Sequence, residues 1–114
     1  MKDFMLLFIG KSYEEMDLSP EEMQNRMGKW FAWNSKLEAA GNVKHGDALV
    51  PHVKRISGPD RIVSDRAATE VKELIGGYYI VQAKDYEEAI KIAQDYPDYD
   101  LGGEVEVREI LVYG

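Results

Sequence analysis

Two histidines and the carboxylates near them are the residues best suited to moving protons near neutral pH. His45 and Asp47 stand two positions apart in a predicted strand, so their side chains share one face. A carboxylate beside an imidazole orients the ring and raises its basicity, as a general base requires. The alternative is a solvent-facing polar pair near a strand edge. His52 follows Pro51 in a predicted turn, where we expect a surface role.

Asp65 is the residue that we favour as the polar centre of a catalytic site. It directly follows a predicted strand, where a loop can present a carboxylate to a pocket. The alternative role is capping, in which the carboxylate accepts backbone N–H groups of the following turn or helix. We therefore predict a catalytic site in which Asp65 is the central residue and His45 and Asp47 assist it.

Aromatic side chains and one glutamate are the predicted ligand contacts. Trp30 lies on a predicted long helix and could form a wall for a flat ligand, although core packing explains the same spacing. Tyr78 and Tyr79 are neighbours in a predicted strand, so one of them faces each side of the sheet. Glu70 could line the same pocket, and a solvated charged segment is the alternative for it.

Several kinds of chemistry find no support in this sequence. The chain has no cysteine, which excludes a disulfide scaffold, a thiol nucleophile and a zinc–thiolate site. The histidines and carboxylates follow no known metal-ligand spacing, so we predict no metal and no cofactor. Gly76 and Gly77 precede a strand rather than a helix, so they do not form a phosphate-binding loop.

Composition narrows the class of protein and of partner. The 114 residues, 45% of them hydrophobic, fit one domain spanning 1–114. A domain of this size can bury a core without the help of disulfides or a metal ion. With 14 basic and 21 acidic residues the net charge is −7, which argues against nucleic acid or a membrane surface as the partner. The longest apolar run, residues 4–9, is far shorter than the about 20 residues of a membrane span. We therefore predict a cytoplasmic protein, and the charge itself does not identify its partner.

Caps, turns and hydrophobic periodicity predict the elements that position these residues. A helix is expected to begin after Ser19, with Pro20 in its first turn, and to end at Gly41. A second helix follows Asp85 and continues to about Tyr96. Strands are predicted at 4–9, 43–50, 76–83 and 104–112, a loop at 11–18, and a hairpin with arms at 53–56 and 61–64.

This order of elements indicates an α+β fold. Two strand–helix–strand halves with an inserted β-hairpin are typical of a ferredoxin-like sandwich. Both helices would cover one face of the sheet and leave the other face open in a monomer. Apolar side chains on that open face would call for a partner, and a symmetric dimer is the commonest solution. We therefore predict a homodimer.

Several segments, taken in order and at matching spacing, carry a resemblance to a known family. They are Phe4-Met5-Leu6-Leu7, Leu18-Ser19-Pro20-Glu21-Glu22, Leu37-Glu38-Ala39-Ala40-Gly41, Tyr96-Pro97 and Glu104-Val105-Glu106-Val107-Arg108-Glu109-Ile110. The most specific stretch is Asp65 to Tyr79, with Glu70, Lys72, Glu73 and Gly76-Gly77-Tyr78-Tyr79. Over nearly the whole chain they resemble the DGPF-type branch of the YCII-related family. The resemblance implies a dimeric α/β barrel built from ferredoxin-like subunits. Relatives elsewhere in the family are associated with a His–Asp pair and elimination chemistry on small ring compounds.

The sequence departs from the family pattern at the positions that would carry this chemistry. Where the branch has Asp-Gly-Pro-Phe, this chain has Asp65-Arg66-Ala67-Ala68. The family histidine near the start of the first helix is absent, and Tyr96 stands where relatives place an aspartate before the proline. The His–Asp mechanism is therefore not carried onto residues of this chain.

Two functions remain open from the sequence. One is a small-molecule-binding protein that performs cofactor-free acid–base proton transfer or elimination on a small organic compound. The other is a non-enzymatic module that senses a metabolite or docks another protein. An open cleft with a buried, unpaired Asp65 would favour the enzyme, and a sealed or wholly apolar pocket would favour the module.

Overall fold

The computed structural model describes residues 1–67, 71 and 73–113. Within these residues the chain forms six strands, three α-helices and one short 3-10 turn. In chain order they are β1 (Lys2–Ile9), α1 (Tyr13–Met16), α2 (Pro20–Ala39), β2 (Val43–Ala48), β3 (His52–Ser57), β4 (Ile62–Ala67), β5 (Ile75–Ala83), α3 (Tyr86–Ala93), the 3-10 turn (Tyr99–Leu101) and β6 (Glu104–Glu109).

Four of the strands form the main sheet, in the order β2-β5-β1-β6, and every neighbouring pair is antiparallel. The first strand–helix–strand unit is β1–α2–β2, and the second is β5–α3–β6. Strand β5 lies between β1 and β2, and strand β1 lies between β5 and β6, so the strands of the two units alternate in the sheet. This mixed α+β arrangement is compatible with the predicted ferredoxin-like fold. The dimeric barrel stays a prediction.

Helix caps account for where α2 and α3 begin. The Ser19 hydroxyl accepts the backbone N–H of Glu22 at 3.1 Å, and the Asp85 carboxylate accepts that of Glu88 at 3.0 Å. Each cap satisfies a backbone donor that the first turn of a helix leaves free. Helix α2 ends at the predicted place, since Gly41 takes the left-handed conformation with φ of 72°.

Several predicted boundaries are wrong in detail. Helix α3 ends at Ala93 rather than near Tyr96, because the last amides before Pro97 bond back three residues and tighten the chain out of the α-helix. The predicted loop at 11–18 contains α1, and β6 ends at Glu109 rather than at residue 112. The inserted hairpin is present but longer than predicted, so Asp65 lies inside β4 rather than after a strand.

The core lies between the sheet and the helices. Alternate residues of β1, namely Phe4, Leu6 and Phe8, are buried against the helices. The remaining members of the buried cluster are Trp33 and Leu37 from α2, Val81 and Ala83 from β5, Ala89 and Ala93 from α3, and Tyr96 after α3. The intervening side chains of the strands point to the opposite face, which no helix of the described chain covers.

The pair β3–β4, spanning His52–Ala67 and called the arm below, forms a separate two-stranded sheet. It makes no extensive contact with the other elements of the described chain. The radius of gyration is 15.8 Å, whereas a compact domain of about 100 residues has a radius of about 13 Å. The arm therefore projects from the body.

Candidate functional site

A cavity of about 730 Å³ opens between α2 and the edge of the sheet formed by β2 and β5. Small-molecule sites typically occupy about 300–1,000 Å³ and are lined mainly by apolar and aromatic groups. Its aromatic lining residues are Phe8, Tyr13, Trp30, Phe31, Tyr78, Tyr79 and Tyr96. Its charged lining residues are Lys11, Glu14, Asp47 and Asp98. This is the candidate site.

One wall of the cavity is a stripe along α2. Met23, Met27, Trp30 and Asn34 recur every three or four residues and therefore share one face of the helix. Met27 and the neighbouring Phe31 line the mouth of the cavity, and the Phe31 side chain keeps 67% of its surface exposed. Large apolar side chains exposed at a cavity mouth provide contact surface for a ligand.

The floor is a cluster of aromatic rings. Phe8 stacks on Tyr96 with 5.3 Å between ring centroids and meets the edges of Trp30 and Tyr79 at 5.2 and 5.3 Å. Such offset and edge-to-face contacts fix each ring beyond what burial alone would do. Trp30 therefore belongs both to this packed cluster and to the cavity wall.

Tyr79 reaches this floor because position 46 on the neighbouring strand is glycine. A Cβ on Gly46 would lie 2.1 Å from Cδ1 of Tyr79 and 2.4 Å from the backbone oxygen of Tyr78. The Tyr79 hydroxyl donates to Oδ1 of Asn34 at 3.2 Å, which links β5 to α2 across the cavity. Burial raises the pKa of the Tyr79 phenol, so the hydroxyl remains a donor at neutral pH.

The polar end of the cavity is a hydrogen-bonded group around Asp98, a carboxylate only 7% exposed. The Tyr13 hydroxyl donates to Oδ2 of Asp98 at 2.6 Å, and the Trp30 indole N–H donates to the Tyr13 oxygen at 2.9 Å. Burial, and then the hydrogen bond to Asp98, raise the pKa of Tyr13. The Tyr13 phenol therefore keeps its proton and points it at Asp98.

Arg26 holds the segment that carries Asp98. Its guanidinium donates to both carboxylate oxygens of Asp100 at 2.7 Å, to the Pro97 carbonyl at 3.1 Å, and to Oδ1 of Asp98 at 3.5 Å. The hydrogen bonds from Arg26 lower the pKa of Asp100 to about 2. A two-pronged pair of this kind fixes orientation as well as charge.

The structure brings four of the predicted site residues to this cavity. Trp30, Tyr78 and Tyr79 line it, and so does Asp47, whose carboxylate accepts the Tyr78 hydroxyl at 3.3 Å. His45 shares the strand face of Asp47 and meets the edge of the Tyr78 ring at 5.8 Å, but it is exposed and does not line the cavity. Glu70 lies outside the described residues.

Asp65 lies on the arm, away from the cavity lining. Its side chain is 65% exposed, and Oδ1 is 3.5 Å from Nζ of Lys54 and 3.5 Å from Nε2 of His52. The condition that would favour an enzyme, a buried and unpaired Asp65, is therefore not met, because cross-strand pairing places Asp65 on the solvated arm opposite Lys54. The catalytic roles assigned to Asp65, His45 and Asp47 stay predictions.

Sequence reasoning missed Asp98, Tyr13 and Arg26. Local spacing does not reveal their association, because Tyr13 and Asp98 are 85 positions apart. Two signals were available in the sequence. One is the aromatic Tyr13 among the mostly polar residues 11–18, and the other is the dense run of tyrosine and aspartate after α3. Among the described residues, no group of three or more histidines and carboxylates is arranged to hold a metal ion.

Comparison with known proteins gives a family and no activity. The family model of the YCII-related domain matches residues 4–113. No curated protein matches the sequence. The family match spans the arm and both walls of the cavity. Within the described part of the chain, no helix is long and apolar enough to cross a membrane.

Proposed function

This chain belongs to the YCII-related family, and from that premise we propose that it binds a small organic molecule in the cavity between α2 and the β2–β5 edge. The observation that carries the proposal is the make-up of the cavity. Aromatic and apolar walls meet a hydrogen-bonded polar end formed by Tyr13 and Asp98. Such sites use apolar area for affinity and a few fixed polar groups for orientation.

The polar end selects the functional group of the ligand. The Tyr13 proton is committed to Asp98 and the Tyr13 oxygen accepts the Trp30 N–H, so a donor on the ligand would share this oxygen with Trp30. The Ser12 hydroxyl, which also lines the cavity, is buried and has no hydrogen-bond partner among the described residues. A hydroxyl or amino group on the ligand would provide the donor that the Tyr13 oxygen accepts.

The charges around the cavity select against an anion. Glu14, Asp47 and Asp98 line it, against Lys11 in the lining and Arg26, which contacts Asp98 at 3.5 Å. An anionic ligand would meet like charges in a partly desolvated site, whereas a neutral or cationic ligand would not. The proposed ligand is therefore a flat ring compound that carries a hydroxyl or amino group and no net negative charge.

A thermal-shift screen tests this proposal. The panel consists of aromatic rings that carry a hydroxyl or amino group, each matched with the same ring carrying a carboxylate. Ligand that binds the folded state raises the melting temperature by mass action. We expect the hydroxyl and amino compounds to raise it more than their carboxylate counterparts.

Two matched variants locate the binding. Phe31→Ala removes an exposed ring from the cavity mouth, and Ile90→Ala removes an exposed apolar side chain from α3, outside the cavity. We expect the ligand-induced shift to fall in Phe31→Ala and to persist in Ile90→Ala. A shift lost in Asp65→Asn and retained in Phe31→Ala would place the site on the arm and contradict the cavity.

Catalysis is the second candidate, and the short Tyr13–Asp98 hydrogen bond favours it. In a relay, a substrate proton would move to the Tyr13 oxygen while the Tyr13 proton moves to Asp98, so charge and atoms balance without a cofactor. The relay predicts that a bound ring compound exchanges an acidic C–H for deuterium in D2O. Tyr13→Phe should abolish the exchange, whereas a non-catalytic module would show none in either protein.

We also propose that two copies associate through the open face of the main sheet. Met5 and Leu7 lie on that face and are partly exposed, and the register of β1 with β5 places Met5 opposite the buried Ile80 and Leu7 opposite Tyr78. Apolar side chains on an uncovered sheet face are a common part of interfaces in symmetric dimers. Light scattering after size exclusion measures the mass, and a monomer at all concentrations contradicts the pairing. The DGPF-type branch, the dimeric barrel and the cytoplasmic location remain proposals.

A further inference from the structure

The arm carries apolar side chains that nothing in the described chain covers. Ile56, Ile62 and Val63 are all well over half exposed, and Val50 at the root of the arm is exposed as well. An isolated two-stranded hairpin is at best marginally stable in water, because it has no second layer to bury its side chains. The arm therefore requires a surface to pack on.

The two faces of the arm differ in chemistry. Pairing of Lys54 with Asp65 and of Ile56 with Val63 puts these side chains on one face, where Asp65 offsets the Lys54 charge. Ser57 pairs with Ile62 and Val53 with Arg66, so the opposite face combines Ile62 with the positive side chains of Arg55 and Arg66. One face thus carries Ile56 and Val63 beside a balanced charge pair, and the other carries Ile62 beside two arginines.

Charge identifies the occupant as a second copy of this chain. The arm has four basic residues against two acidic ones, whereas the rest of the sequence has ten basic against nineteen acidic. A cationic arm on an acidic body complements the body of another copy, and complementary charge both steers association and fixes its register.

The edge strand β6 is the acidic surface that best fits the arm. It is the last strand of the main sheet, paired on one side with β1 and unpaired on the other among the described residues. Glu104, Glu106 and Glu109 are exposed along it, against Arg108. Proteins commonly cover such edges, since an open row of backbone groups invites pairing.

We infer that the arm of each copy packs along the β6 edge of the other, with Ile62 and Arg55 towards the acidic strand. The inference deepens the association of two copies proposed above and rests on it. In a two-fold dimer the exchange is reciprocal, so both arms and both β6 edges are covered together. The arm begins just after Leu49 and Pro51, which line the cavity, so the second copy also fixes one rim of each binding site.

Charge reversal tests the inference. Sedimentation velocity over a range of protein concentrations gives the dimer dissociation constant for wild type, Arg55→Glu and Glu106→Arg. We expect each single reversal to raise the constant at least tenfold and the double reversal to recover most of the loss. Lys91→Glu makes the same charge change on an exposed position of α3 and should leave the constant unchanged.

Further outcomes separate this inference from the proposed binding site. Circular dichroism confirms that each variant is folded, and Ile62→Ser weakens the same contact without a charge change. Wild-type dimerisation in Arg55→Glu, Glu106→Arg and Ile62→Ser overturns the arm contact. A monomeric wild type that still shows a ligand-induced thermal shift overturns the association of two copies together with the arm contact and leaves the cavity proposal standing. A dimer that is weakened by these variants but binds no ligand overturns the cavity proposal alone.

Discussion

The Tyr13 hydroxyl and the Asp98 carboxylate are joined at 2.6 Å across 85 positions of the chain. The bond fastens α1, which follows the first strand, to the turn that precedes the last strand. Trp30 of α2 donates to the same Tyr13 oxygen, so three separate segments meet at the polar end of the cavity. The shape of that end depends on this one contact more than on any local element.

Loss of the Tyr13 hydroxyl should destabilise the protein. Tyr13→Phe leaves the buried Asp98 without its shortest donor and the Trp30 N–H without its nearest acceptor. Hydrogen bonds to charged groups contribute about 1.5–3 kcal/mol, so we expect a loss of roughly that size in the free energy of unfolding. Urea denaturation measures it. Tyr113→Phe, at an exposed position, is the control, and equal stabilities of the two variants would refute the role of the contact.

Replacing either of two glycines with alanine should change the free energy of unfolding, and the two changes should have opposite signs. A Cβ at position 46 meets the Tyr79 ring and the backbone of Tyr78, so we expect Gly46→Ala to cost about 1–3 kcal/mol. Gly28 lies in α2 with nothing within 4 Å of its Cβ position, and Gly28→Ala should gain about 0.5–1 kcal/mol. Urea denaturation of both variants checks the pair. A stable Gly46→Ala protein would mean that Tyr79 does not occupy the cavity floor.

Acid should remove a contribution that Asp100 makes to stability. Arg26 lowers the pKa of Asp100 to about 2 in the folded protein, from an ordinary value of 3.8. As the pH falls, the unfolded chain takes up this proton first, so the contribution is present above about pH 4 and is lost as the pH falls to about 2. Unfolding free energies measured across this interval should fall less steeply in Asp100→Asn. Asp60→Asn, in the exposed turn of the arm, controls for the loss of one negative charge.

Alkali should destabilise the protein through two tyrosines of the cavity. Burial is the main cause that raises the pKa of both Tyr13 and Tyr96 above the ordinary value of 10.0, and the Asp98 carboxylate adds to it in each case. The unfolded chain releases these phenolic protons near pH 10 while the folded chain retains them. Stability is therefore intact below pH 10 and falls as the pH rises above it. Tyr96→Phe should flatten this decline in urea titrations at pH 9 to 11, and an unchanged slope would contradict the prediction.

Local sequence signals predicted the elements of this fold well. Ser19 with Pro20 and Gly41 mark the two ends of α2, and the structure has the helix between them. Asp85 caps α3, and alternation along the strands places the core on one face of the sheet. These features depend on residues within a few positions of one another, which is the range over which caps, turns and periodicity act.

The polar end of the cavity could not be predicted in the same way. Asp98 acquires its environment from Tyr13, Trp30 and Arg26, which lie far away along the chain and carry no shared spacing. Asp65 looked like a loop carboxylate because the hairpin strands were predicted too short, and two more residues of β4 place it opposite Lys54. Tertiary pairing decides such positions.

The polar end of the cavity is formed by two segments that lie far apart in the chain, and this separation determines when the cavity can form during synthesis. The Ser12 and Tyr13 side of the polar end is made early, but Asp98 leaves the ribosome only after the arm, β5 and α3. Domains generally fold as units, so the cavity forms only once α2, β5 and the segment that carries Asp98 are all available. A ligand of the proposed kind would therefore stabilise the protein only after these elements have been made, and it would not act as a template for the early ones.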